Sequence, residues 1–169
     1  MSARIPPVLR PEHPTPRSLA RMVQEFGLEH RGSLDAVEVT GVTVRTTEVQ
    51  PGDLFAALPG KNAHGASFAR DAAEAGAAAI VTDAAGADLA EAAFDDPQTA
   101  LPIVLVDDPR GALGDISAWV YRTGGSAAED TRPPLLFATT GTNGKTSTSY
   151  LLEAILLQLG LVTGLSSTA

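Results

Sequence analysis

Residues 135–159 place an apolar run, a glycine-bounded turn and a second apolar run end to end. The turn reads Gly141-Thr142-Asn143-Gly144-Lys145-Thr146. The run before it, 135–139, predicts a buried strand. The run after it, 145–159, predicts a helix stopped by Gly160. A turn between a strand and a helix points backbone N–H groups inward, and the helix N-terminus adds partial positive charge. Gly141 and Gly144 allow backbone angles and close approach that a side chain blocks. Lys145 can reach the terminal phosphates of a nucleotide, and the Thr146 hydroxyl can ligate Mg²⁺. The strict form of this loop has a further glycine five residues before Gly144, where this chain has Thr139.

The helix predicted after the loop carries Leu151, Leu152, Ala154, Ile155, Leu156, Leu157 and Leu159. These positions surround most of its circumference, as expected of a helix buried on most sides. A new strand is expected from Leu161. One strand, one helix and the start of another strand cannot cover such a helix. The expectation is a protein that continues well beyond Ala169, or a partner that supplies the cover.

Upstream, strands alternate with helices, which predicts an α/β domain over 17–122. Residues 1–16 hold five prolines and read as a flexible lead-in. A helix over 18–26 has Ser18 as its cap, Leu19, Met22, Val23 and Phe26 on one face, and Gly27 as its stop. Strands are expected over 37–44, 54–58, 77–82 and 103–106. Helices are expected over 67–75, closed by Gly76, over 87–94, and from Pro109 to Tyr121. Residues 123–134, with Gly124-Gly125-Ser126 and Pro133-Pro134, read as a linker. The remainder, 135–169, reads as the start of a second, truncated domain.

Composition excludes several classes. There are no cysteines, so disulfides, thiolate nucleophiles and Cys-based zinc sites are absent. A net charge of -8 argues against broad nucleic-acid binding. It leaves room for a nucleotide, which needs only a local nest of N–H groups and one lysine. The N-terminus has no signal-peptide core, and the apolar run after Tyr150 falls short of the ~20 residues a bilayer span needs. The expected location is the cytoplasm, without membrane insertion.

The run Ala138-Thr139-Thr140-Gly141-Thr142-Asn143-Gly144-Lys145-Thr146-Ser147-Thr148 resembles the ATP loop of the Mur ligases. Those loops also lack the first glycine. Pro51-Gly52-Asp53-Leu54-Phe55, then His64-Gly65, then Ala75-Gly76-Ala77-Ala78-Ala79 is similar to their UDP-binding N-terminal domain. The resemblance covers nearly all of 37–169. The loop and the helix after it favour the branch that adds the third residue of the stem peptide. The Pro-Gly-Asp-Leu-Phe stretch is shared with the branch acting next, which adds D-alanyl-D-alanine.

The resemblance implies an ATP-dependent ligase acting through an acyl phosphate on UDP-N-acetylmuramoyl-L-alanyl-D-glutamate. The incoming amino acid is meso-diaminopimelate or L-lysine, brought by a further domain. It implies ATP contacts at Gly141, Thr142, Asn143, Gly144, Lys145, Thr146 and Ser147, with Lys145 catalytic and Thr146 on Mg²⁺. It implies contacts to the UDP-sugar at Val44, Thr46, Lys61, Asn62 and Ala63. Many members have Asp-Ser-Arg before the Pro-Gly-Asp turn. Here Arg45-Thr46-Thr47 stands instead, and Thr46 keeps a hydroxyl at the serine position.

The residues themselves leave alternatives open. Lys61, Asn62 and Ala63 read equally as a solvated loop. His64 reads as structural or exposed rather than as a general base, because no partner carboxylate is evident. Asp107 and Asp108 read as helix capping rather than a metal pair. Asp53 reads as a turn residue, Trp119 as core and Glu153 as helix surface. A kinase or GTPase of the phosphate-loop type, and a UDP-sugar-binding module without catalysis, are the competing functions. ATP with Mg²⁺ should stabilise the former and a UDP-sugar the latter.

Overall fold

A computed structural model of the chain describes residue 10 and residues 14–96, 99–123 and 135–166. The chain divides into two compact units, Met1–Pro133 and Pro134–Ala169. Most of the expected linker, 124–134, lies outside the described residues.

The first unit is built on parallel strands of short apolar residues. β1 (Arg17–Ser18) leads into α1 (Leu19–Phe26), followed by β2 (Glu29–Arg31), β3 (Glu38–Val39), β4 (Gly41–Thr43) and β5 (Asp53–Ala56). Then come α2 (Ala69–Glu74), β6 (Ala79–Thr82), α3 (Ala84–Ala92), β7 (Ile103–Leu105) and α4 (Pro109–Val120). The main sheet runs β2-β7-β6-β5-β4. Its β4–β7 strands are parallel and adjacent in sequence order, and β2 closes the β7 edge antiparallel. β1 and β3 form a separate antiparallel pair.

Alternation along the strands makes the sheet two-faced. Leu54, Ala56, Val81 and Val104 join Leu19, Met22, Ile116 and Trp119 on one side. Phe55, Ala57, Ile80 and Ile103 join Ala66, Ala69, Ala72, Ala87 and Ala90 on the other. The result is three layers, with α1 and α4 on one face and α2 and α3 on the other. Apart from Gly86, the buried residues of α2 and α3 are all alanine.

The ends follow local rules. Ser18 caps α1 by accepting from the Arg21 N–H, and Gly27 closes it at φ 64°. Asp83 caps α3 and Asp108 caps α4, with Pro109 in the first turn. Trp119 is buried. Its indole N–H donates to Glu25 Oε2 at 2.5 Å, and Arg17 stacks 3.6 Å over its ring. The indole bond, then Arg21, holds the Glu25 carboxyl below its ordinary value.

Several expectations need correction. The strand over 37–44 is broken at Thr40, whose N–H goes to Gly52 O at 2.9 Å. Its halves pair with different sheets, so one strand becomes β3 and β4. The helix over 67–75 starts as a 3-10 turn, Gly65–Phe68, before α2. The helix over 87–94 begins earlier, at Ala84, because Asp83 supplies a cap. Phe26 is 40% exposed rather than on the buried face of α1. β2 went unforeseen because Glu-His-Arg has no apolar alternation.

In the second unit α5 (Lys145–Gln158) forms where expected. The strand over 135–139 and the strand from Leu161 do not form. A strand is defined by its ladder, and neither segment has a pairing neighbour among the described residues. Leu135 and Leu136 are 80% and 86% exposed. No residue of α5 is buried, and Tyr150, Leu151, Ile155, Leu157 and Leu159 are exposed. The apolar circumference of this helix therefore stays uncovered within its own unit. Among the described residues, no helix is long and apolar enough to cross a membrane.

Candidate functional site

Two sets of candidate residues belong to two units and are described separately. In the first unit, β4, β5 and β6 run parallel and in register, with Thr43 beside Phe55 and Ala56 beside Val81. Their carboxyl ends therefore open onto one edge, the usual ligand side of an α/β sheet. Val44 leaves β4 at that edge, and Thr46 opens the 3-10 turn Thr46–Glu48 just beyond it. Lys61, Asn62 and Ala63 follow β5 at the same edge and are exposed. Topology thus gathers all five candidates on one rim.

Lys61-Asn62-Ala63 form the tip of a narrow loop. Pro59 and His64 pair across its base in an antiparallel bridge, and the Gly65 N–H donates to Leu58 O at 2.9 Å. A Cβ at Gly60 would lie 2.5 Å from Ala63 O. A Cβ at Gly65 would lie 2.9 Å from Leu58 N. Glycine at both stems is what lets the loop close.

His64 departs from the sequence reading, which found it no carboxylate. Its Nδ1 accepts from the Ala66 N–H at 3.0 Å. That leaves Nε2 as the protonated nitrogen, facing Asp83 Oδ1 at 3.2 Å and Oδ2 at 3.4 Å. Nineteen residues separate the two in sequence, and only the β5–β6 pairing brings them together.

A cleft of about 230 Å³ lies along the β4 edge, lined by Val42, Val44, Glu48, Ser117, Tyr121 and Arg10, among others. Arg10 belongs to the lead-in. Its Nη2 meets Asp53 Oδ2 at 2.5 Å, and its Nη1 donates to Val42 O at 3.2 Å and to the Tyr121 hydroxyl. The Val42 N–H donates to the same hydroxyl at 3.0 Å. Side chains thereby satisfy an edge strand that has no further strand beside it among the described residues. Asp53 also accepts from the Gln50 N–H at 2.9 Å. Burial pushes the Asp53 carboxyl above its ordinary value, opposed by that N–H and by the Arg10 charge. Asp53 is thus more than a turn residue.

In the second unit, Gly141 and Gly144 take φ 148° and 77°. Gly144 is the N-cap of α5, and among the described residues no side-chain cap bonds the first N–H groups of the helix. Those N–H groups, at Lys145, Thr146 and Ser147, form an open anion cradle of the kind a phosphate fits. Lys145 Nζ donates to Gly141 O at 2.6 Å, bending its positive charge back over the loop. Ser149 Oγ lies 3.3 Å from Thr139 Oγ1 and 3.1 Å from Lys145 O. Thr142 and Asn143 stand exposed around the cradle, and Thr146 is half-buried on the first turn of α5. Asp107 and Asp108 do not gather with other ligands. Among the described residues, no group of three or more His, Asp or Glu is placed so that it could hold a metal ion.

Comparison with known proteins agrees on one family. The profile described as "Mur ligase family, catalytic domain" matches residues 38–121, within the first unit. The chain is 56% identical over its full length to the UDP-N-acetylmuramyl-tripeptide synthetase of Leifsonia xyli, of which it covers 30%. It is 45% identical over 85% of its length to the UDP-N-acetylmuramoyl-L-alanyl-D-glutamate–2,6-diaminopimelate ligase of Streptomyces avermitilis, covering 26% of that protein. The chain thus spans less than a third of the length of these relatives. Its fold is similar to that of a UDP-N-acetylmuramoylalanyl-D-glutamyl-2,6-diaminopimelate–D-alanyl-D-alanyl ligase from Acinetobacter baumannii, with a TM-score of 0.59 and 23% identity. That match covers 86% of this chain and 29% of the other, and it speaks to fold alone. With this carboxyl-edge rim, this sheet order and these relatives, the chain belongs to the Mur ligase family.

Proposed function

We propose that this chain provides the UDP-binding domain and the phosphate loop of an ATP-dependent ligase of peptidoglycan synthesis. The ligase adds meso-diaminopimelate or L-lysine to UDP-N-acetylmuramoyl-L-alanyl-D-glutamate in the cytoplasm. The observation that carries this reading is the identity, over the whole chain, with a protein named for making the tripeptide precursor. The sheet edge with Val44, Thr46, Lys61, Asn62 and Ala63 takes the uridine diphosphate end. The cradle at 141–147 takes the phosphates of ATP, with the Thr146 hydroxyl as the Mg²⁺ ligand.

ATP supplies the phosphoryl group that activates the substrate carboxylate as an acyl phosphate, which the incoming amine then attacks. The residues of this chain serve that chemistry by electrostatics. In this reading the N–H groups at the start of α5 and the Lys145 ammonium offset the charge that collects on a transferred phosphoryl group. The Gly141 carbonyl gives up Lys145 Nζ when a phosphate oxygen competes for it, because the charged acceptor forms the stronger bond.

Isothermal titration of the 169-residue chain tests both halves. Uridine diphosphate is expected to bind and to raise the melting temperature of the first unit. No ADP release is expected when UDP-N-acetylmuramoyl-dipeptide, ATP and the amino acid are supplied together, since among the described residues α5 has no sheet beside it within its unit. ADP release dependent on all three would refute that expectation. A chain that stays folded but ignores uridine diphosphate would remove the substrate-binding reading.

A further inference from the structure

The imidazole of His64 sits in a slot made for it. Its side chain is 13% exposed, and it touches two elements at once. Through Nδ1 it holds the Ala66 N–H at the start of the 3-10 turn. Through Nε2 it reaches Asp83, whose Oδ1 also accepts from the Gly86 N–H at 2.7 Å as the cap of α3. Gly86 leaves the room: a Cβ there would lie 2.5 Å from His64 Cε1 and collide with Thr82 Oγ1. Thr82, fully buried, donates to Ala57 O at 2.8 Å, fixing the strand end from which the loop departs.

We infer that His64, held by Asp83, is a positioning residue that fixes the Lys61-Asn62-Ala63 tip in its ligand-binding shape. This rests on the reading of that tip as a contact for the uridine diphosphate end of the substrate. The tip, Lys61-Asn62-Ala63, is exposed. Its shape is set by its base, where the Pro59–His64 bridge meets the imidazole anchor. A loop already ordered spends less conformational entropy on binding. Cutting the anchor lets the tip sample other shapes, so affinity falls while the rest of the unit stays folded.

Two substitutions cut the anchor and spare its neighbours. His64→Asn keeps an acceptor for the Ala66 N–H but is too short to reach Asp83. Asp83→Ser keeps a capping oxygen for α3 and likewise loses His64. Titration of each variant of the 169-residue chain with uridine diphosphate is expected to show affinity lower by about tenfold. The double variant should be no weaker than either single one, because both remove the same link. Thermal melting should show all three folded at the titration temperature. Unchanged affinity in either single variant overturns the proposal, as does a loss seen only where the chain has begun to unfold. If the unmodified, folded chain does not bind uridine diphosphate, the substrate-loop reading falls and takes this proposal with it. Binding by the unmodified chain with unaffected variants sinks the anchor alone.

Discussion

Arg10→Ala is expected to destabilise the first unit by about 3–5 kcal/mol at neutral pH, the usual result of removing one member of a buried ion pair. Arg10 and Asp53 side chains are only 12% and 3% exposed. Losing the guanidinium strands Asp53 and leaves Val42 O without the donor that covers it. It also leaves a hole beside Gly41, against which Arg10 and Asp53 pack in the unmodified chain so closely that a Cβ would collide with both. The pH dependence has a definite sign. Burial already raises the Asp53 carboxyl, and removing the opposing Arg10 charge raises it further. A carboxyl raised in the folded state binds its proton more tightly there than in the unfolded chain. Its contribution to stability is present below the unfolded value and lost as pH rises through the folded one. The deficit of Arg10→Ala relative to the unmodified chain should therefore be greatest at neutral pH and shrink on acidification through the raised Asp53 value. Urea unfolding at neutral and at mildly acid pH measures both. A deficit that stays constant across that range would show that Asp53 is not the stranded group.

Lys145→Ala should act on activity rather than on folding. On the proposed function, ATP-dependent product formation by a full-length ligase carrying this sequence is expected to fall by about 10²–10³-fold or more, the range for removing one charged or hydrogen-bonding stabiliser of a transition state. Lys145 is exposed and its one described side-chain bond is to the carbonyl of Gly141, so the folded state loses little. Lys145→Arg should recover little, because a planar fork does not replace a compact ammonium in a cradle of backbone N–H groups. Single-turnover ADP formation with saturating substrates is the measurement. A rate within a few fold of the unmodified enzyme would dismiss Lys145 from the chemistry.

The parts legible in the sequence were those encoded by neighbours in the chain. Caps at Ser18 and Asp108, the stop at Gly27, and the apolar strands around Phe55, Ile80 and Val104 are local signals, and the helices and β5–β7 follow from them. The glycine-bounded turn before α5 is equally local. Hidden features depended on partners far along the chain. β2 is polar and exists only because β7 offers it an edge. Arg10 looked like part of a proline-rich lead-in, and nothing near it in sequence announces Asp53. His64 and Asp83 meet through strand order alone. The reverse failure occurred at 135–139, where the side-chain pattern of a strand is present and, among the described residues, a ladder partner is not. A pattern specifies a strand only together with the sheet that receives it.

The strand sequence of the main sheet, β4 to β7 marching in one direction, carries a geometric penalty. In doubly wound proteins the order reverses midway, and successive helices diverge to opposite faces at that point. The gap between them is a ready-made crevice. Here α2 and α3 share one face, as their alanines in a single cluster show, so no such parting exists along the β4–β6 edge. Concavity on that rim has to be sculpted from connecting segments, which in this chain means a handful of residues after β4 and after β5. Recognition on such a rim is therefore evolvable by loop exchange without disturbing the sheet, and equally fragile to any change that slackens a loop's footing.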